Sequence, residues 1–235
     1  MKTPILQRCA FTPLISMILP TRKRLKGLND TLHSLFSLAD KDNINFEVIV
    51  KVDFDDHETI DYIKGCPNEC GNLTFIINSR KQGWLSMVDF VENMIDISKG
   101  KWILNINDDM VFETQDWNTK LEHHLQEFKI YFVNTNGYRQ SFPIYPKELK
   151  NILGHISPHN QIDTYLYHLS YITQIEAYID DVFLNHYQAE FQDQTHFDKA
   201  DVVDINFATR DYHNNSPTFN QDINLILNYK KSNNT

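Results

Sequence analysis

Cysteine is scarce: Cys9, Cys66 and Cys70 are the only three in 235 residues. That odd, small number excludes a disulfide scaffold and fits a reducing compartment. Cys66 and Cys70 have a loose metal-like spacing, but no second pair completes a zinc site. Glycine (7) and proline (8) are sparse, which argues against low-complexity sequence. Positive charge is in deficit, with 22 Lys and Arg against 31 Asp and Glu. A net charge of −9 excludes a broad nucleic-acid-binding face. No apolar run reaches the length that spans a bilayer, and "ISMILP" is too short and proline-broken for a signal peptide. The expected location is therefore cytoplasmic, or peripheral to a membrane.

What is present is a well-cored chain, 41% hydrophobic and 12% aromatic, long enough for one sizeable α/β domain with an extension. Ile15 to Leu19 reads as a buried strand. From Leu28 to Leu38 the apolar residues fall at a helical period. Asn45 to Val52 is a second strand, Glu58 to Ile63 a short helix and Leu73 to Ile77 a third strand. Ser86 to Ile97 is helical again, and Trp102 to Ile106 is the fourth strand. This β-α alternation predicts a mostly parallel sheet flanked by helices. The second half is less regular. Trp117 to Phe128 reads as a helix, Ile130 to Val133 as a strand, and Lys147 to Leu153 as a helix ended by Gly154. Another helix carries Asp163 in its first turn, and "AYIDDVFLNHY" is a strand pair or bent strand reaching His186. A polar helical tail runs from Asp198.

In such a sheet the ligand crevice lies beyond the carboxyl ends of the strands. Polar residues gather at those ends: Thr21 and Arg22 after the first, Asp53, Asp55 and Asp56 after the second, Asn78 to Arg80 after the third, and Asn107-Asp108-Asp109 after the fourth. Adjacent carboxylates next to apolar Met110, Val111 and Phe112 are costly unless something offsets their charge. A hard divalent cation with a diphosphate opposite it would do so. "HISPHNQID" spaces His155, His159 and Asp163 four apart, but Pro158 breaks the helix that a zinc site there would need. Tyr165, Tyr167 and Tyr171 read as packing rather than as a sugar platform.

Over roughly Ile15 to His186 the chain resembles the GT-A glycosyltransferases, in particular the family 2-like branch. The resemblance rests on "ISMILPTRKR", "FEVIVKVDFDDHET", "NSRKQGWLSMVDFVENMIDISKGKWILNINDDM", "SFPIYPKELKNILGHI", "QIDTYL" and "AYIDDVFLNHY". It implies a Rossmann-like GT-A fold, with residues 1–190 as the glycosyltransferase domain. Residues 14–112 would be its nucleotide-binding half, 113–190 its acceptor half, and 191–235 a helical C-terminal extension.

By the same resemblance, Thr21 and Arg22 would line the nucleotide pocket and Asp53 would accept a hydrogen bond from the base, which would suit uracil or another base with a ring N–H. Arg80 would lie near the diphosphate and Asp108 would face the ribose or sugar. Asp109 would bind Mn²⁺ or Mg²⁺, with His186 (rival His213) as a further ligand or diphosphate contact. Asp163 (rival Asp181) would be the general base. The implied reaction is inverting transfer of one sugar from a nucleoside-diphosphate sugar, UDP favoured, to a hydroxyl of a glycan or lipid-linked acceptor.

Two positions depart from the family pattern. Asn107 replaces the first acid of the DxD-type motif, and Ile162 replaces the Glu before Asp163. They keep a non-catalytic nucleotide-sugar or glycan-binding module as the alternative. The loop "PTRKRLKG" lacks the clustered glycines of a sugar nucleotidyltransferase, and a metal-dependent hydrolase ranks lower still. The QxxRW motif of processive synthases is missing, which implies transfer of a single sugar.

Overall fold

The computed structural model describes residues 12–65, 72–79, 86–187 and 216–233. Strands β1 (Ile15–Thr21), β2 (Phe46–Asp53), β3 (Leu73–Asn78) and β4 (Trp102–Asn105) alternate with helices α1 (Leu25–Ser37), α2 (His57–Gly65) and α3 (Met87–Ile97). There follow β5 (Met110–Phe112), α4 (Trp117–His124), β6 (Ile130–Thr135), β7 (Pro143–Pro146), α5 (Glu148–Leu153), α6 (Ile162–Thr173), β8 (Glu176–His186) and α7 (Pro217–Asn233). The predicted tail falls partly outside the described residues, as do Cys9, Cys66, Cys70, Arg80 and His213.

One eight-stranded sheet runs in the order β3-β2-β1-β4-β7-β6-β8-β5. Pairings among β1 to β4 are parallel, as the alternation predicts. The second half is mixed: β7 lies antiparallel to β4 and β6, β8 is parallel to β6, and β5 is antiparallel to β8. Strands β1 and β2 are buried on both faces, so they read as continuous apolar runs rather than as alternation. Ile15, Met17 and Leu19 face α1 and α4, with Trp117 at the centre of that layer. Ile18, Ile49 and Ile103 face the layer of α3, α5, α6 and α7. Helix α7 belongs to this second core, because Phe219 and Ile226 are buried there among residues of α5 and α6.

Three local differences from the sequence reading have physical causes. Helix α4 stops at His124 rather than Phe128, because Leu125 leaves helical geometry before the chain turns into β6. Strand β5 is only three residues long, too short for any periodicity to reveal. The "AYIDDVFLNHY" segment is one bulged strand: pairing with β6 jumps from Val133–Ile179 to Asn134–Phe183, which pushes Asp180 and Asp181 outward.

The sheet must also curl. Strand β5 lies four places from β4, about 19 Å across a flat sheet. The chain from Asn105 to Met110 reaches at most about 18 Å even when fully extended. Curling brings the β8–β5 edge back towards β1 and β4, and Asn107 to Asp109 form the crossing. Thr31 of α1 secures it, its hydroxyl donating to the Met110 carbonyl at 2.7 Å.

Candidate active site

The crossing places Asp108 and Asp109 at the carboxyl end of the sheet, both buried. Asp108 accepts a hydrogen bond from the Thr21 hydroxyl at 2.6 Å and one from Arg24 Nη1 at 3.0 Å. Burial pushes its carboxyl up to about 6, while Arg24 and Thr21 pull it back down. Asp109 is held by its backbone, since the Tyr187 N–H donates to its carbonyl at 2.8 Å. Its Oδ1 lies 3.2 Å from His186 Nε2 but is not aligned for a hydrogen bond, so this buried oxygen has no hydrogen-bond partner. Its Oδ2 lies 3.8 Å from Arg24 Nη1. His186 is the last residue of β8, opposite Met110, with its ring against Phe142. A cavity of about 230 Å³ opens beside the pair, lined by Lys26, Gly27, Thr31, Asp108, Asp109 and Tyr187 among others.

A second constellation sits one strand over. Asp53 ends β2 and is buried. Arg22 Nη1 donates to its Oδ2 at 2.8 Å, and the Lys51 ammonium donates to its Oδ1. Lys51 and Asp53 are two apart on one strand, so both point to the same face. There the ammonium lies 3.7 Å from the centre of the Phe90 ring. Arg22 also grips Asp55 with both guanidinium nitrogens, at 2.5 and 2.9 Å. That bond raises Arg22 further and holds the Asp55 carboxyl down to about 2. Asp56 takes the Lys23 N–H at 2.6 Å, which pins Lys23 in a left-handed turn at φ 53°.

Thr21, Arg22, Asp53, Asp108, Asp109 and His186 thus gather along one sheet edge. Asp163 lies in the first turn of α6. Helix α6 leads into β8, which runs parallel to β6, so the helix begins at the same carboxyl edge. The Val88 N–H at the start of α3 donates to Asn160 Oδ1 at 3.4 Å, joining the two helix starts there. Asp181 is elsewhere: it sits on the outer bulge of β8, 2.8 Å from His124 Nε2 of α4. Arg24 and Lys51 hold the two acidic clusters, and neither stands among the site residues that the sequence reading names. The available signal was a lone charge inside an apolar strand, in phase with Asp53.

Residues 16–178 match the model of Glycosyl transferase family 2. The chain belongs to that family. The family groups glycosyltransferases, and the GT-A architecture is borne out by solved structures. TarS 1–349 of S. aureus superposes with a TM-score of 0.60 at 15% identity, covering 93% of this chain and 72% of that one. Mannosyltransferase PcManGT from Pyrobaculum calidifontis, in complex with GDP-Man and Mn²⁺, gives 0.59 at 12% identity, covering 95% and 76%. Glucosyl-3-phosphoglycerate synthase from Mycobacterium tuberculosis, in complex with Mn²⁺ and UDP, gives 0.52 at 14% identity, covering 74% and 72%. TarS has also been solved with UDP and with UDP-GlcNAc. Against a longer TarS chain, this one spans 36% of the length. No curated protein sequence matches it.

The Mn²⁺ present in the PcManGT and glucosyl-3-phosphoglycerate synthase structures can be weighed against the residues present. Among the described residues no group of three or more His, Cys, Asp or Glu could hold an ion by itself. Asp109 and His186 offer two donors, one of them a buried carboxylate oxygen without a hydrogen-bond partner. A hard divalent ion commonly takes one or two protein ligands and completes its shell with substrate phosphates and water. The residues therefore fit Mn²⁺ or Mg²⁺ bound together with a diphosphate.

Proposed function

We propose that this chain transfers one sugar from a UDP-sugar to a hydroxyl of a glycan or lipid-linked acceptor, with inversion and with a divalent metal. The observation that carries the reading is the buried, unpartnered Oδ1 of Asp109 beside His186 Nε2, at the crossing of a GT-A sheet. Asp109 and His186 would hold Mn²⁺ or Mg²⁺, whose Lewis acidity offsets the charge of the departing diphosphate. Thr21 orients Asp108 towards the ribose or sugar. Asp163 takes the proton of the acceptor hydroxyl. The acceptor oxygen bonds to the anomeric carbon as the carbon–oxygen bond to the diphosphate breaks, and attack from the opposite face inverts that carbon. Arg80, outside the described residues, belongs in this reading as a diphosphate contact.

Uridine and guanosine donors both occur among the structural neighbours, so this chain's own pocket decides the base. Around Asp53 that pocket offers Lys51 as donor, the carboxylate as acceptor and Arg22 as donor. Uracil presents the complement: O4, N3–H and O2. Guanine, with one acceptor and two donors on that edge, leaves a cation unpaired. No described helix is long and apolar enough to cross a membrane. We place the enzyme in the cytoplasm, acting at a membrane surface when the acceptor is lipid-linked.

The test is a donor screen by isothermal titration and diphosphate release, with Mn²⁺ or chelator. Uridine-selective, Mn²⁺-enhanced binding with turnover on adding acceptor supports the transferase. Asp163→Asn should keep donor binding and lose transfer. Binding without turnover across an acceptor panel would favour a non-catalytic module, and no nucleotide binding would overturn both.

A further inference from the structure

The carboxylate pair already has a cation. Arg24 Nη1 lies 3.0 Å from Asp108 Oδ1 and 3.8 Å from Asp109 Oδ2, and its side chain is 11% exposed. Two adjacent buried carboxylates do not both stay ionised without a nearby positive charge. Arg24 supplies one, approaching Asp109 from its Oδ2 side while His186 stands at Oδ1. A divalent ion on Asp109 would bring two further positive charges to within a few ångströms of that guanidinium. At such distances, away from bulk water, the repulsion is strong. The ion and the guanidinium would share one carboxylate, the ion at Asp109 Oδ1 and Arg24 on the Oδ2 side.

The backbone around Arg24 does not need to yield. Lys23 is pinned by Asp56, and the Arg24 carbonyl takes the first helical bond of α1, from the Leu28 N–H at 2.9 Å. Only the long side chain needs to swing. The diphosphate that arrives with the metal is a new anion for it to grip.

We propose that Arg24 is the resident counter-ion of the metal site: it neutralises Asp108 and Asp109 in the ligand-free protein, gives way to the divalent ion, and passes its guanidinium to the donor diphosphate. This rests on the metal-dependent reading above. Its consequence is coupling. Metal alone must displace Arg24 with no diphosphate to receive it, whereas metal with a nucleoside diphosphate brings one, so each ligand strengthens the other.

The experiment is calorimetric titration of Mn²⁺ into wild type, Arg24→Gln and Arg24→Lys, with and without UDP. Wild type should bind Mn²⁺ about tenfold or more tightly once UDP is present. Arg24→Gln should bind Mn²⁺ alone about tenfold or more tightly than wild type and gain less from UDP than wild type does, because only the diphosphate's own bonds to the ion remain. Arg24→Lys should fall between. Adding Asp109→Asn to Arg24→Gln should abolish the signal, which assigns it to this site. Should Arg24→Gln be unstable in chelator, its melting temperature should rise more with Mn²⁺ than that of wild type.

Equal or weaker Mn²⁺ binding by Arg24→Gln would overturn the proposal. Absence of Mn²⁺ binding by either protein in the presence of UDP would overturn it together with metal dependence. UDP binding in chelator would still leave the nucleotide reading standing, so the two failures are distinguishable.

Discussion

Lys51 is a buried cation in the middle of a strand, and its partner Asp53 sits two residues further on the same face. A buried ammonium is tolerable only when paired, and in the proposed reading this pair meets the uracil base. Replacing Lys51 with Met keeps much of the volume over Phe90 and removes the donor. Hydrogen bonds involving charged groups contribute about 1.5–3 kcal/mol, so Lys51→Met should weaken UDP binding by about 10- to 100-fold. GDP affinity should change far less, which titration of both nucleotides will show. Equal losses for UDP and GDP would argue against a base contact. Asp109→Ala removes the carboxylate proposed to hold the metal. Nucleotide-induced thermal stabilisation should then become insensitive to Mn²⁺, with transfer falling on the order of a thousandfold.

Among the elements, the contact of β1 with the turn before β4 depends on Gly100. A Cβ there would stand 2.5 Å from the Ser16 backbone nitrogen and 2.7 Å from the Ile15 carbonyl carbon. Backbone cannot move aside as a side-chain tip can, so Gly100→Ala should lower stability by about 1–3 kcal/mol in urea unfolding. The folded fraction should keep its nucleotide preference. Helix α7 is held by a different device. Asp222 is buried between the Tyr165 hydroxyl, which donates to it, and His155, whose Nε2 lies 3.3 Å away. His159 packs on Tyr165, and Glu92 accepts from the Ile156 N–H beside His155.

Asp222, more than any other group, raises the pKa of His155 above its ordinary value. A raised folded-state pKa means that the folded protein holds the proton more tightly than the unfolded chain. The resulting stability is fully present below about pH 6.5 and is lost as pH rises through the higher folded value. About a quarter of the His155 side chain stays solvated, so the effect should be about 1 kcal/mol. Melting curves from pH 5.5 to 9 should show this loss in wild type and a flatter profile in His155→Gln. Parallel profiles would sink the assignment.

At the scale of the whole molecule, a site built from the ends of β1, β2, β4 and β8 couples ligand binding to global stability. A nucleotide that binds only the folded chain should add about 2.7 kcal/mol at a hundred times its dissociation constant. For the proposed donor this should appear as a rise in melting temperature with UDP plus Mn²⁺ that chelator reduces. The first half of the fold could be read in advance because its signals are local. Leu28, Leu32 and Leu35 mark one face of α1 by spacing alone, and the apolar runs of β1 and β2 follow from burial on both faces. The second half could not, because pairing decides it. Three residues of β5 carry no period, and the β8 bulge exists only as a jump in its register against β6.

By itself, then, the sequence determined the α/β alternation, the polar carboxyl ends of four strands, and the placing of Asp53, Asp108 and Asp109 at those ends. These follow from period and strand polarity, which neighbouring residues carry. Only the tertiary structure decided that the sheet curls, because a short crossing must reach a distant edge. Only it set His186 at Asp109 across 77 positions of chain, turned Asp181 to the surface, and gave Arg24 and Lys51 to the acidic clusters. Partners so far apart in sequence are chosen by strand order and register, which no local pattern records.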